Sequence, residues 1–182
     1  MTSNGASRVL GRLAVADGAG VVRIEDRYDT DIDDLWSAVT EPDRVARWYG
    51  KVDGDLRLGG AFTLYVASAD LHSTGRIDVC EPPRNLRVTT RETDESAQRG
   101  NGPAPFEKTI EATLTPDGAQ TILAIEVRGV PLDKIEYFGT GWQIHAENLA
   151  GYLAGQDAAD AETRWSRLVP HYRNVAANLD VS

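Results

Sequence analysis

Gly141–Leu153, GWQIHAENLAGYL, is the stretch whose reading decides the fold of this chain. Trp142, His145, Leu149 and Tyr152 recur at helical spacing, with Gln143, Glu147 and Asn148 between them. That period marks one amphipathic helix. Almost everything before it reads as β-strand, so one long helix must cover one curved sheet. Trp142, His145 and Tyr152 are bulky and amphipathic, which suits the wall of a partly open cavity better than a sealed core.

Working outward from the helix, Gly155 is placed to cap its C-terminus, and Gly129–Thr140 reads as a linker with one helical turn. Phe106–Thr115 and Thr121–Arg128 form a hairpin across Pro116-Asp117-Gly118. Asn85–Glu92 is a strand, and so is Thr74–Val79, which Pro82-Pro83 must end. Val52–Leu58 and Ala61–Ala67 are strands joined at Gly59-Gly60. Phe62, Leu64 and Val66 share one face. So do Ile110, Ala112 and Leu114, and likewise Leu123, Ile125 and Val127. One face of the sheet is therefore apolar across several antiparallel strands and needs a cover.

Val21–Tyr28 is a further strand, and Arg8–Ala16 a short extra one before the Asp17-Gly18 turn. Asp29, Thr30 and Asp31 are N-cap residues for a helix whose apolar face is Ile32, Leu35, Trp36 and Val39. Asp33 and Asp34 suit its positive end and read as a solvated helix start. Thr40 caps a second short helix, with Pro42 in its first turn, that runs to about Trp48 and ends by Gly50. After Gln156, Ala161, Trp165 and Leu168 suggest a short helix supported by an Asp160–Arg164 pair, which Pro170 breaks or kinks. The chain thus divides into an extension (1–20), one α+β domain (21–155) and an appendage (156–182). That appendage either covers a sheet edge or exchanges onto a second copy, which makes a homodimer a candidate state. Asp94–Pro105, rich in Gly, Ser and Pro, is a candidate lid over the cavity mouth.

Composition narrows the function. The 182 residues carry a formal net charge of −9 and 41% hydrophobic residues, a globular composition. An acidic chain without a basic stripe is not expected to bind nucleic acid or an anionic membrane. Arg8 and Arg12 interrupt VLGRLAVA, so no signal peptide is read there. The single cysteine, Cys80, makes no internal disulfide and fits a reducing cytoplasm. His72, His145 and His171 are scattered without metal-ligand spacing, and no phosphate-binding loop, dinucleotide fingerprint or nucleophile elbow occurs. No metal and no cofactor are expected.

The order strand, two short helices, antiparallel strands and one closing helix resembles the helix-grip fold of the START-like, or SRPBCC, superfamily, which includes the birch pollen allergen. The local phrases resemble one branch, the bacterial proteins similar to the C-terminal domain of the activator of Hsp90 ATPase. They are DIDDLWSAVTEPDRVARWYG from Asp31 to Gly50, DLRLGGAF from Asp55, Gly75-Arg76-Ile77 leading to EPPRNL from Glu81, and Gly141-Trp142 with His145, Leu149 and Tyr152-Leu153. Ala146 departs from the leucine usual in relatives.

The resemblance implies a curved sheet gripped by the C-terminal helix around a pocket for a small apolar ligand: lipid-like, polyketide or aromatic. On the sheet, the expected lining is Phe62, Leu64, Ile77, Val88 and Ile125. From the helices it is Trp48, Trp142, His145, Leu149 and Tyr152, with Trp36 mostly core. His145 either meets the ligand or is a packed, satisfied helix-face histidine. An alternative is a cyclase/aromatase- or hydrolase-like enzyme drawing protons through His145, Tyr65, Tyr137 or Tyr152. A third is an interaction domain that stimulates a chaperone ATPase.

Overall fold

A computed structural model describes residues 9–93, 106–158 and 160–179. The candidate lid at Asp94–Pro105 lies outside the described residues. The chain forms one antiparallel sheet of eight strands in the order β1-β2-β8-β7-β6-β5-β4-β3. The strands are β1 (Gly11–Ala16), β2 (Ala19–Tyr28), β3 (Lys51–Gly54), β4 (Ala61–Val66), β5 (Leu71–Glu81), β6 (Asn85–Glu92), β7 (Glu107–Asp117) and β8 (Gln120–Val130). Helices α1 (Ile32–Thr40) and α2 (Pro42–Val45) follow β2. The long helix α3 (Ile135–Leu153) follows β8, and α4 (Ala161–Ala177) ends the fold.

Strand register puts the apolar faces together. Ile110 pairs with Val127, Ala112 with Ile125 and Leu114 with Leu123. On the other side Leu86 pairs with Ala112, and Val88 with Ile110. Paired residues point to the same side of a sheet, so the concave face is apolar from β2 to β6. A register shift between Ile77 and Val79 adds one residue to β5. It brings both Ile77 and Cys80 to the concave face, where strict alternation would separate them.

The long helix starts at Ile135, well before Gly141, and the linker expected over Gly129–Thr140 shrinks accordingly. Ile135 is buried and sits against Gly20, where an added Cβ would come within 2.8 Å of the isoleucine Cδ1. This long-range packing outweighs the poor helix propensity of Gly139 and Gly141. The helix packs on β1 and β2, and the buried Tyr28 hydroxyl donates to the Ala146 carbonyl at 3.2 Å. Gly155 has φ of 67°, the left-handed turn beyond a helix C-terminus.

Three local expectations change. The strand expected over Val52–Leu58 ends at Gly54, because Asp55 folds into a turn, accepting from Arg57 N–H at 3.1 Å and from Arg57 Nε at 2.9 Å. Thr40 ends α1 rather than capping α2, and its hydroxyl donates to the Trp36 carbonyl at 2.7 Å. Asp34 is more than a solvated helix start. It accepts from Thr30 at 2.6 Å and from Arg44 Nη1 at 2.9 Å, and the Thr30 bond heads the causes that hold its carboxyl below the ordinary value.

The appendage is longer than expected. Its helix continues through Pro170. The proline removes one backbone donor, and burial of Leu168, Val169 and Tyr172 against α3 offsets that loss. Asp160 caps α4, accepting from the Thr163 N–H at 3.2 Å. Arg164 pairs with Glu147 of α3 rather than with Asp160, its Nε donating at 2.7 Å. Tyr172 and Gln143, each 0% exposed, join the two helices: the tyrosine hydroxyl donates to Gln143 Oε1 at 2.5 Å. The same oxygen accepts from the Leu10 N–H at 3.2 Å. Burial first, eased by a hydrogen bond from the Gly11 backbone, pushes the Tyr172 phenol up to about 12. The ring fits because residue 139 is glycine; a Cβ there would stand 2.6 Å from Tyr172 Cδ1.

Tyr172→Phe is expected to lower stability by about 0.5–1.5 kcal/mol in urea unfolding, since it removes one buried hydrogen bond to an amide oxygen that keeps its bond from Leu10. Gly139→Ala is expected to cost more, by displacing the ring. An unchanged midpoint in both variants would remove this clamp from the account.

Candidate functional site

The concave face carries two hydrophobic clusters. One joins α1 and α3 to β1, β2, β7 and β8. The other gathers Phe62, Leu64, Val66 and Ile77 of β4 and β5. Between them lies a partly enclosed cavity of about 290 Å³. Its floor is built by Phe62 and Leu64 of β4, Ile77 and Cys80 of β5, and Val88 and Thr90 of β6. Ile110, Ala112 and Ile125 continue that floor toward α3, and Trp36, Val39, Trp48, Tyr49 and Trp142 form the roof.

The roof is an aromatic stack. Tyr49 lies 5.5 Å from Trp48 and 5.1 Å from Trp142, ring centre to ring centre, each at an interplanar angle of 29°. His145 meets Tyr49 edge-on at 4.8 Å and Trp142 at 5.7 Å. Trp48 is anchored by its indole N–H, which donates to the Ala38 carbonyl at 2.9 Å. The turn that α2 makes after Pro42 is what carries Trp48 and Tyr49 over the sheet.

A second cavity of about 240 Å³ lies beyond Tyr49 and Trp142, which line both hollows. Its other walls include His145, Leu71, Glu92, Lys108, Tyr137 and Trp165. Lys108 Nζ donates to Glu92 at 2.8 Å, with the lysine side chain 4% exposed. The ammonium also lies over the Phe106 and Phe138 rings, at 5.3 and 5.2 Å. Burial pulls the Lys108 ammonium below its ordinary value, and Glu92 opposes that pull.

Of the residues expected to line a pocket, Trp48, Phe62, Leu64, Ile77, Val88, Ile125 and Trp142 surround the first cavity. His145 faces the second. Leu149 and Tyr152 line neither of these hollows. Leu149 is fully buried in the helix–sheet core. Tyr152 lies one helical turn further on, where its hydroxyl accepts from Arg44 Nε at 3.0 Å and its ring lies under the Arg44 guanidinium. Trp36, expected to be mostly core, is half-buried and lines the first cavity.

Sequence reasoning passed over Tyr49, Cys80, Thr90 and Lys108. Thr90 and Lys108 were findable by alternation, since they continue the inward sets of Val88 and Ile110. Cys80 was hidden by the bulge.

His145 is half-buried as a residue, while its Nδ1 is fully buried and has no hydrogen-bond partner. Burial pushes its pKa down to about 4, and a hydrogen bond to the Trp48 backbone only partly offsets that. At neutral pH the ring is therefore uncharged. Burial, aided by the Glu92 charge, pushes the Tyr49 phenol up. Tyr65 stacks on His72 at 4.4 Å, on the face opposite Leu64. Among the described residues, no group of three His, Cys, Asp or Glu side chains could hold a metal ion. No helix of the described residues is long and apolar enough to cross a membrane.

Residues 29–154 match the family described as activator of Hsp90 ATPase homolog 1-like protein. The chain belongs to that family. The START-like fold expected from the sequence is the one observed. The crystal structure of CalU16 from Micromonospora echinospora is similar over 92% of this chain and 98% of its own, at 24% identity and a TM-score of 0.72. Its solution structure gives 26% identity and a TM-score of 0.68, covering 94% of this chain and 98% of its own. The crystal structure of DynU16, a protein in the dynemicin biosynthetic locus, matches 78% of this chain and 50% of its own at 24% identity, with a TM-score of 0.65. Among curated proteins none matches. The family match begins just before α1 and ends just after α3, so β1, β2 and α4 lie outside it.

His145 gives this family member a pH signature. Its folded pKa of about 4 lies below the ordinary 6.5, so the unfolded chain binds the extra proton. The stabilisation is complete above about pH 6.5 and is lost as pH falls through about 4. Between pH 7 and pH 5 the loss from this one group is on the order of 1–2 kcal/mol. Urea unfolding should show that slope, and His145→Phe should remove it. Equal slopes for the two proteins would mean that the ring is not buried as described.

Proposed function

We propose that this protein binds a small apolar molecule, aromatic or lipid-like, in the cavity between β4–β8 and the α1–α3 roof. One observation carries this reading: a hollow of about 290 Å³ lined by apolar and aromatic side chains between the two hydrophobic clusters. That volume is at the lower edge of the range typical of small-molecule sites. A void in a core forfeits dispersion contacts that a guest restores. Stacked indole and phenol rings offer flat faces to a planar ligand. The biosynthetic setting of DynU16 supports a small-molecule ligand over a protein one.

Geometry favours binding over catalysis. A cyclase or hydrolase needs two proton-transfer groups within reach of each other. Tyr65 lies against His72, Tyr152 against Arg44, and Tyr137, which shares the second hollow with His145, against Trp165. His145 Nδ1 has no hydrogen-bond partner. The ligand-binding residues proposed are Trp48, Phe62, Leu64, Ile77, Val88, Ile125 and Trp142, with Tyr49 and Ala112 added.

Biphenyl is a suitable first probe for the full chain. At about ten times its dissociation constant it should raise Tm by roughly 3–6 °C, and native mass spectrometry should show one molecule bound. Ala112→Phe fills the floor from β7 and is expected to abolish the shift while the variant remains folded. No shift with biphenyl, a planar tricycle or a fatty acid would sink the proposal.

A further inference from the structure

Among the described residues, the buried side-chain nitrogen and oxygen atoms without a hydrogen-bond partner are Ser73 Oγ, Thr90 Oγ1 and His145 Nδ1. They are not scattered. Thr90, 1% exposed, is on the floor of the first cavity. Its cross-strand neighbour on β7 is Lys108, on the wall of the second. Ser73 pairs with Glu92, the partner of Lys108. His145 closes the second cavity from above, beside Tyr49 and Trp142. A polar strip thus runs along the sheet beneath the aromatic pair that separates the two hollows.

A buried polar atom without a partner has given up its hydrogen bond to water and received nothing in return. Natural interiors rarely tolerate several together without a function. The unmet capacity is that of neutral groups: an uncharged imidazole nitrogen gives or takes a hydrogen bond according to its tautomer, and a threonine hydroxyl can do either. Among the described residues the cation that lines these hollows is Lys108, and its ammonium already has Glu92 and two aromatic faces, so neither cavity presents a free cation to an anionic ligand. What fits is an uncharged group that can both give and take a hydrogen bond, as a hydroxyl does.

We propose that the two cavities are compartments of one site, and that its ligand is an elongated aromatic or polycyclic molecule bearing a phenolic or alcoholic hydroxyl. This rests on the apolar-binding reading above. The hydrocarbon body lies on Val88, Ile110 and Ala112 in the first compartment. The hydroxyl end passes Thr90 beneath the stacked Tyr49 and Trp142 and hydrogen-bonds His145 Nδ1. Thr90 and His145 are then the residues that select for the hydroxyl, and the apolar walls supply affinity without selecting.

A matched pair of probes separates the two statements. Biphenyl and 4-phenylphenol differ by one hydroxyl, and the dissociation constant of each is measured by calorimetry on the full chain. The phenol is expected to bind roughly threefold to tenfold tighter than the hydrocarbon. Thr90→Val and His145→Phe keep the size and shape of the lining, so each should shrink that ratio. The double variant should bring it to about one. Biphenyl binding with a ratio of one in the unmodified protein overturns this inference and leaves the apolar-binding reading standing. A ratio that falls only in Thr90→Val overturns the role of the second compartment. Failure to bind either probe sinks the apolar-binding reading, and this inference with it.

Discussion

The structure depends on a mismatch of widths. Eight strands at a spacing of about 4.8 Å make a sheet roughly 33 Å across. One α-helix with its side chains is about 10–12 Å wide. α3 can therefore cover only part of the concave face, and it packs on the β1–β2 side. The face of β4, β5 and β6 is equally apolar and needs another cover. α1, α2 and the aromatic turn at Trp48 and Tyr49 bridge that gap without filling it. The first cavity is what remains.

Holding a roof over a void takes rigid supports. Arg44 is one. Its guanidinium donates to the Asp34 carbonyl and carboxylate, to the Ser37 hydroxyl and to Tyr152, tying α1, α2 and the end of α3 together. The Trp48 indole bond to Ala38 is another. On the far side of α3, α4 presses through Tyr172, Gln143 and the Glu147–Arg164 pair, so the helix is clamped from behind. Tyr152 thus serves the site indirectly: it positions the roof and does not line it.

The chemistry of the interior follows from the same geometry. Residues that would be hydrated on an exposed sheet are shut under aromatic rings. His145 loses its charge there, and Lys108 keeps close company with Glu92. Thr90 lies on the wall of the first hollow, and His145 and Lys108 on that of the second. Polarity and empty space therefore coincide, which is the usual arrangement of a binding site with a few orienting groups in an apolar pocket.

The periodicity of the sequence alone determined the fold class. Alternation at Phe62-Leu64-Val66, Ile110-Ala112-Leu114 and Leu123-Ile125-Val127 reports a one-sided sheet, and the spacing of Trp142, His145 and Leu149 reports its cover, because burial imposes those periods locally. The same parity puts Phe62, Leu64 and Ile125 on the concave face, beside the first hollow, which Trp48 and Trp142 reach from a turn and a helix. Tertiary structure alone decided the rest, each time through contacts between residues distant in the chain. Ile135 against Gly20 set where α3 begins, a bulge in β5 turned Cys80 inward, and Arg44 drew Tyr152 away from the hollow. Whether the hollow exists at all depended on how far a helix reaches across a sheet, and no local pattern encodes that distance.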